Sequence, residues 1–275
     1  WLYNIYRLSA QVTDPTDMDR KFYMILGEGG VFFIILFTGF LLTYRSFNKE
    51  IQVGNQQKNF LLAITHELKT PIASLKLYLQ TLLKRTLNPS KQEEILNKSV
   101  KDADRLNALV ENILLATKID DNGLPLNPER INLSEMMEKV TLDMLESSGK
   151  TVDVEFFIEP EVYFQGDKDA FYSILINLIG NALKYSPEKS SICVTLVQKG
   201  KETALSISDE GPGVPMDETE KIFDKFYRSG NEETRSQKGT GLGLYIVKKL
   251  VEQHNGMIQV KPNVPSGSIF VASFR

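Results

Sequence analysis

Cysteine is almost missing from this sequence: Cys193 is the only one in 275 residues. An internal disulfide is therefore excluded. A lone thiol inside the strand-like run Ile192 to Val197 reads as buried filler rather than as a nucleophile. An excess of one charge is also missing. Lys and Arg number 32 against 35 Asp and Glu, a formal net charge of -3. No basic field directs the chain to nucleic acid, and an anionic ligand must be held by local donors at loops and helix ends. The G-x-x-x-x-G-K-[ST] phosphate loop is absent too, so any nucleotide is bound by another geometry. The chain opens on Trp1 rather than Met, which is expected of a fragment or a processed product.

With 42% hydrophobic and 24% charged residues, the length suits two globular units and a short extra segment. That segment is the uncharged run Val31-Phe-Phe-Ile-Ile-Leu-Phe-Thr-Gly-Phe-Leu-Leu-Thr-Tyr44. Extended back to Phe22, with Glu28 its one interruption, it reaches the length a bilayer needs, and residues 22–44 are read as a transmembrane helix. Arg45, Lys49 and Lys58 follow the span and Arg20 and Lys21 precede it, a weak orientation signal. Residues 1–21 are expected to be a short extracytoplasmic segment, or the trimmed end of an earlier span that includes the aromatic opening Trp1 to Tyr6. Residues 45–58 form a membrane-proximal linker helix.

From 59 to 120 the pattern is helical twice over, broken at Thr86-Leu-Asn-Pro89, where asparagine before proline disfavours continuation. Leu61, Ile64, Leu68, Ile72, Leu75, Leu79 and Leu82 recur at steps of three and four, as do Ala103, Leu106, Val110, Ile113 and Thr117. A single hairpin with such seams leaves apolar surface uncovered, so pairing with a second copy into a four-helix bundle is expected. With Leu61 and Ile64 on the seam, His66 falls at the heptad position that faces solvent most directly. Thr70 shares its face one turn on. Pro71 cannot donate to the carbonyl of Glu67, which predicts a kink or loosening beside the histidine. An exposed helical histidine by itself is usually plain surface; the residues that follow give it a reaction partner.

After the proline-marked linker 121–130, residues 131–275 read as an α+β domain: a helix over Leu133 to Leu145 and strands over Val152 to Ile158, Ile192 to Val197, Ala204 to Ser208, Met257 to Val260 and Ile269 to Phe274. Within the amphipathic helix Asp169 to Tyr185, Asn177 and Asn181 sit one turn apart among Ile and Leu. Asparagine is a poor helix former. The pair either offers neutral oxygens to Mg2+, with Lys184 a turn further on to meet a phosphate, or caps a neighbouring loop. Leu205 to Gly213 is a strand running into a glycine turn. Asp209 at its end either accepts the exocyclic amine of adenine, with Gly211 and Gly213 letting the base approach, or is an ordinary turn aspartate. Lys238-Gly-Thr-Gly-Leu-Gly243 opens into a helix, an arrangement whose backbone N–H groups suit phosphates. The polar stretch Ser229 to Gln237 reads as a lid, anchored by Phe223 and Phe226 packing in a core.

In this order these motifs resemble the bacterial membrane-bound sensor histidine kinases over about residues 55–275: an H-box at His66 to Pro71, an N-box at Asn177 to Tyr185, glycine boxes at Asp209 to Gly213 and Gly239 to Gly243, and an F-box at Phe223 to Phe226. The resemblance implies a multi-domain protein: a transmembrane helix, an all-α hairpin forming a dimeric four-helix bundle, and an α+β Bergerat-type ATP-binding sandwich. It implies phosphate on His66, with Glu67 as base or orienter and Thr70 assisting dephosphorylation of the partner. It places Mg2+ on Asn181 with help from Asn177, and ATP on Asn177, Asn181, Lys184, Tyr185, Asp209, Gly211, Gly213, Gly239, Thr240, Gly241, Leu242 and Gly243. The implied partners are a second copy of the chain and the receiver domain of a response regulator. The implied location is the bacterial inner membrane, with the catalytic domains in the cytoplasm. A helix altered at Pro71 is expected to relay membrane-side movement. Two departures stand out: Glu210 replaces a frequent asparagine, and Asn255 after His254 replaces a glycine, leaving His254 a structural reading. A nucleotide-binding pseudokinase or phosphatase scaffold, and a chaperone-like ATPase, are the alternatives.

Overall fold

The computed structural model describes residues 15–122, 125–229 and 240–275. Of the segment expected over 1–21, residues 1–14 lie outside these. The chain divides into two units, 1–57 and 58–275. Helix α1 runs Pro15–Lys84. Its part in the first unit carries Val31, Phe32, Phe33, Ile34, Ile35 and Leu36, all exposed. Rings one turn apart stack on one another, Phe33 on Phe37 and Phe40 on Tyr44, each at 6.2 Å between centroids. By length and composition the helix can cross a membrane, and none of its apolar window is buried in protein.

In the second unit the C-terminal part of α1 and helix α2, Pro89–Asn122, form the expected hairpin. The break falls where it does because Asn88 caps α2, its Oδ1 accepting from the Lys91 N–H at 2.9 Å, and Pro89 takes the first helical position, where no donor is required. The helix continues through Pro71, whose ring is buried, so the predicted loosening produces no break in α1. Ile64, Leu68 and Leu75 are half-buried, whereas Leu61, Ile72 and Leu79 of α1 and Val110 and Leu114 of α2 remain exposed. The single hairpin leaves an apolar face uncovered.

The remainder is an α+β sandwich. Strand β1, Pro128–Asn132, starts inside the stretch read as linker and pairs antiparallel with β3, Tyr163–Asp167. These strands escaped the sequence reading because neither shows clean alternation and one opens on proline. Helix α3 spans Leu133–Ser148, β2 Asp153–Ile158 and α4 Lys168–Tyr185. They are followed by β4, Ser191–Lys199, β5, Glu202–Ser208, α5, Gly243–Gln253, β6, Met257–Pro262, and β7, Ser268–Phe274. The five-stranded sheet has order β2-β4-β5-β7-β6, with only β2 and β4 parallel. Its inner face, with Ile192, Val194, Leu196, Leu205, Ile207, Ala272 and Phe274, packs into one core with buried residues of α3, α4 and α5. Strand alternation sends Cys193 to the outer face, half-buried, with Sγ 3.6 Å from Thr195 Oγ1. The cysteine is therefore not core filler; its neighbours Ile192 and Val194 fill the core.

At one end of the core Phe171 is fully buried among Phe164, Phe274 and His254, with ring centroids 4.9 to 5.2 Å away. His254 is structural, as read. Its Nε2 accepts from the Asp167 N–H at 3.1 Å, and Nδ1 lies 2.7 Å from the Leu250 carbonyl, which can only accept. Asn255 takes the left-handed turn after α5, φ 56°, a conformation asparagine tolerates in place of glycine. Phe171→Ala should cost about 3–5 kcal/mol, read as a lowered denaturation midpoint of the catalytic domain.

Candidate functional site

The candidate site gathers at the ends of α4 and β5 and the start of α5. Helix α4 buries Phe171, Ile174, Leu175, Leu178 and Ile179, which leaves Asn177, Asn181 and Lys184 on its less covered side. Asn177 Nδ2 donates to the Ser173 carbonyl at 2.9 Å. Its Oδ1 is thereby turned toward the start of α5, where a Cβ on Gly243 would lie only 2.5 Å from that oxygen. A side chain at 243 would push the Asn177 carboxamide away from this place. The half-buried Asn181 carboxamide makes no hydrogen bond among the described residues. Lys184 Nζ donates to the Tyr185 hydroxyl at 3.1 Å and lies over its ring.

Asp209 is buried at the end of β5. Burial pushes its carboxyl above the ordinary range, and backbone hydrogen bonds at Gly211 and Ser268 offset this only in part. The Gly211 N–H donates to Oδ1 at 2.8 Å. A Cβ on Gly211 would stand 3.1 Å from the Tyr185 carbonyl oxygen, so this turn packs directly on the end of α4. Gly213 has φ 78° and abuts the backbone of Gly267. Gly241, φ 72°, approaches the Phe226 and Tyr227 backbone, and its carbonyl accepts from the Phe226 N–H at 3.1 Å. Helix α5 begins at Gly243 after Leu242, whose side chain makes no cap hydrogen bond to the first N–H groups. Thr240 is half-buried and Leu242 buried. Gly239 lies outside the described residues, as do 230–237 of the segment read as a lid.

Two supporting residues carried no signal in the sequence. Asn263 donates through Nδ2 to the Asp209 carbonyl at 2.9 Å. Gly267, φ 114°, passes so close to that carbonyl that a Cβ would collide with it. Both lie more than fifty residues along the chain from Asp209, and only the pairing of β5 with β7 brings them back. Glu210 has a job of its own: Oε2 accepts from the Ser191 N–H at 3.0 Å, tying the turn to the start of β4.

His66 is exposed on α1. Glu67 is not free beside it; its Oε2 takes Arg105 Nη2 of α2 at 2.9 Å. The Thr70 hydroxyl donates to the His66 carbonyl at 3.1 Å. Farther along the hairpin, Ala116 and Ile119 are buried in the core of the catalytic domain. Asp120 accepts from both Lys225 and Tyr245. Burial would raise the Asp120 carboxyl, but these partners outweigh it and hold it below its usual range. Phe223 is buried edge-on to Phe270, the core anchor expected of it. Phe226, at φ 70°, is half-buried against the same core and lies on Phe60 of α1 with centroids 3.9 Å apart.

Two family models match this chain. The His Kinase A (phospho-acceptor) domain matches residues 56–122, and the histidine kinase-, DNA gyrase B- and HSP90-like ATPase matches 166–275. The first contains His66; the second contains the asparagine and glycine motifs in the order seen above. The chain belongs to the bacterial sensor histidine kinases. Sensor protein SrrB of Staphylococcus aureus strain N315 is 29% identical over 264 residues, 93% of this chain and 44% of that protein. The chain thus spans less than half the length of this curated relative. Among solved structures, Acinetobacter baumannii histidine kinase AdeS is 26% identical with a TM-score of 0.56, over 76% of this chain and 96% of that one. Full-length ShkA, solved in complex with AMPPNP, shares the fold at 23% identity and a TM-score of 0.55, over 78% of this chain and 45% of that one. The match to the ATPase family starts at Gly166, yet β1, α3 and β2 before it pack into the same domain.

The raised Asp209 carboxyl gives a test with two signs. Folding takes up protons between the ordinary and the raised value, so this group's stability contribution is complete below the ordinary range and is lost as pH rises through the raised one. At neutral pH the ionised, buried carboxylate is a net cost. Asp209→Asn should raise the melting temperature of the nucleotide-free chain at about pH 7.5. With Asp209 as the adenine acceptor proposed below, the same change should weaken ATP binding by roughly tenfold or more, because the amide also presents donors. Calorimetry with and without nucleotide reads both.

Proposed function

We propose that this chain autophosphorylates His66 from ATP and passes the phosphoryl group to an aspartate on the receiver domain of a response regulator, and that it also dephosphorylates that partner. The observation that carries the reading is the pairing, in one chain, of an exposed helical histidine with a cradle built from Asn177, Asn181, Asp209 and the glycine turns. The chain works as a homodimer, which would cover Leu61, Ile72, Leu79 and Val110. The apolar part of α1 anchors it in the bacterial inner membrane, leaving the hairpin and the ATP domain in the cytoplasm.

In this reading the buried Asp209 carboxylate accepts the adenine amine, Gly211 and Gly213 admit the base, and Tyr185 closes one side. Thr240, Gly241, Leu242 and Gly243, with Gly239 before them, present backbone donors to the phosphates, and Lys184 supplies a cation. Asn181, with Asn177 set beside Gly243, would hold the Mg2+ that accompanies ATP, which would supply positive charge to the phosphoryl oxygens. The ring nitrogen of His66 that carries the lone pair attacks the γ-phosphorus in line. An N–P bond forms, the bond from γ-phosphorus to the bridging oxygen breaks, and ADP leaves with that electron pair. The proton on the other ring nitrogen is oriented or taken by Glu67 through the carboxylate oxygen that Arg105 leaves open, and passes to solvent.

Incubation with γ-labelled ATP should leave an acid-labile, alkali-stable label on the wild-type chain and none on His66→Gln, with nucleotide affinity unchanged. Label on the mutant would move the phosphoacceptor elsewhere. ATP binding without label on wild type would favour a pseudokinase or scaffold, and ATP turnover without label a chaperone-like ATPase.

Thr70 is assigned to the partner's dephosphorylation. Its proton is engaged by the His66 carbonyl, but the oxygen can still accept from a water. Thr70→Ala should lengthen the lifetime of the phosphorylated partner in the presence of kinase and ADP, with self-labelling within about threefold of wild type. A parallel fall in both activities would make Thr70 only a support for its helix.

A further inference from the structure

Lys150 lies outside every motif, two residues past the end of α3, and its half-buried ammonium is turned toward α4. Nζ donates to the Leu183 carbonyl at 2.7 Å and the Ser186 carbonyl at 3.0 Å, with Lys184 O at 3.5 Å. These belong to the last turn of α4, where carbonyls lack intrahelical partners and the helix dipole is negative. A cation in that place both satisfies the acceptors and lowers their electrostatic energy. Among the described residues no other side chain caps that end; the Ser186 N–H returns to Ala182 O within the chain's own turn.

The anchored turn borders the nucleotide cradle on two sides. Lys184 and Tyr185 belong to it, and the Tyr185 carbonyl is the atom against which Gly211 packs beside Asp209. The next residues are held by the same stretch of chain as Lys150: the Lys189 N–H donates to Thr151 O at 2.8 Å, and the Asp153 N–H to Ser190 O at 2.9 Å. Glu210 then fixes Ser191 from the other side. Residues 183–191 thus form a wall between the asparagine helix and the aspartate turn. Lys150 is the charged group that clamps its first turn.

We propose that Lys150 is a positioning residue for nucleotide binding, which sets the end of α4 so that Lys184, Tyr185 and the Gly211 turn meet ATP in register. The assignment rests on the nucleotide-site reading above. It makes no contact of its own with ATP and acts only through the backbone at 183–186.

The test uses the purified full chain in detergent, at a temperature well below its melting midpoint. Lys150→Met should weaken ATP and ADP binding roughly tenfold, the scale expected when a charge-assisted network is removed. KM for ATP in self-labelling should rise with it, while the rate at saturating ATP stays within about twofold of wild type. Lys150→Arg, which keeps charge and donors, should recover most of the affinity. Combining Lys150→Met with Lys184→Met should cost less than the sum of the two singles, because part of the effect passes through Lys184. If the Met variant does not fold, Lys150→Gln is measured against the same thresholds. Wild-type-like affinity in the folded variant would overturn the proposal. So would an equal loss in Lys150→Arg, or a fall in the saturated rate without a rise in KM. Failure of the wild-type chain to bind ATP would sink the underlying nucleotide reading instead, a separate result.

Discussion

Helix α4 has to satisfy two demands with one amphipathic surface. Its inner positions, Phe171, Ile174, Leu175, Leu178 and Ile179, fill the core between the sheet and the helices. Its remaining positions hold Asn177, Asn181 and Lys184. Because the same 3.6-residue period serves both, these three side chains cannot shift without dragging the core with them. The asparagines that weaken the helix are therefore carried on the element with the most apolar packing to spare. Capping at both ends holds it: Asp167 accepts from the Ala170 N–H, and Lys150 closes the other end.

Around α4 the cradle is made from backbone more than from side chains. Gly243 lets Asn177 touch the start of α5, Gly211 lets the aspartate turn rest on Tyr185, and Gly267 clears the Asp209 carbonyl. Each replaces a side chain with a close approach of main chain, which suits a site whose ligand presents a flat base and a row of phosphate oxygens. The buried Asp209 carboxylate costs stability at neutral pH, because the Gly211 N–H offsets its burial only in part. Strain at Phe226, with φ 70°, stands where the glycine loop meets the hairpin. Both are expected where function rather than stability sets the local conformation.

The hairpin and the catalytic domain share contacts of mixed character: Ala116 and Ile119 in the core, the charged and hydroxyl partners of Asp120, and the ring pair Phe60–Phe226. None was legible in the sequence; the Asp120 bonds and the ring pair each join residues more than a hundred positions apart. Arg105 is similar. Its pairing with Glu67 needs the hairpin closed and the two helices in register, which periodicity alone leaves open.

What the sequence determined by itself was local and periodic. The apolar run of α1, the Asn88–Pro89 break, the exposed place of His66, the asparagines on one side of α4 and the glycine turns all follow from spacing and backbone chemistry, and the motif order was enough to place the chain in its family. The short strands β1 and β3 carry too little signal in five residues without alternation, and the outward place of Cys193 follows only from the assembled sheet, which decides a strand's inward face. Tertiary structure alone decided that Asn263 and Gly267 would buttress Asp209, that Glu210 would tie down β4, and that Lys150 would close α4. Those pairings come from chain segments brought together by sheet register and helix packing, and a hydrogen bond between distant segments leaves no trace in the order of residues until the fold has set the distance.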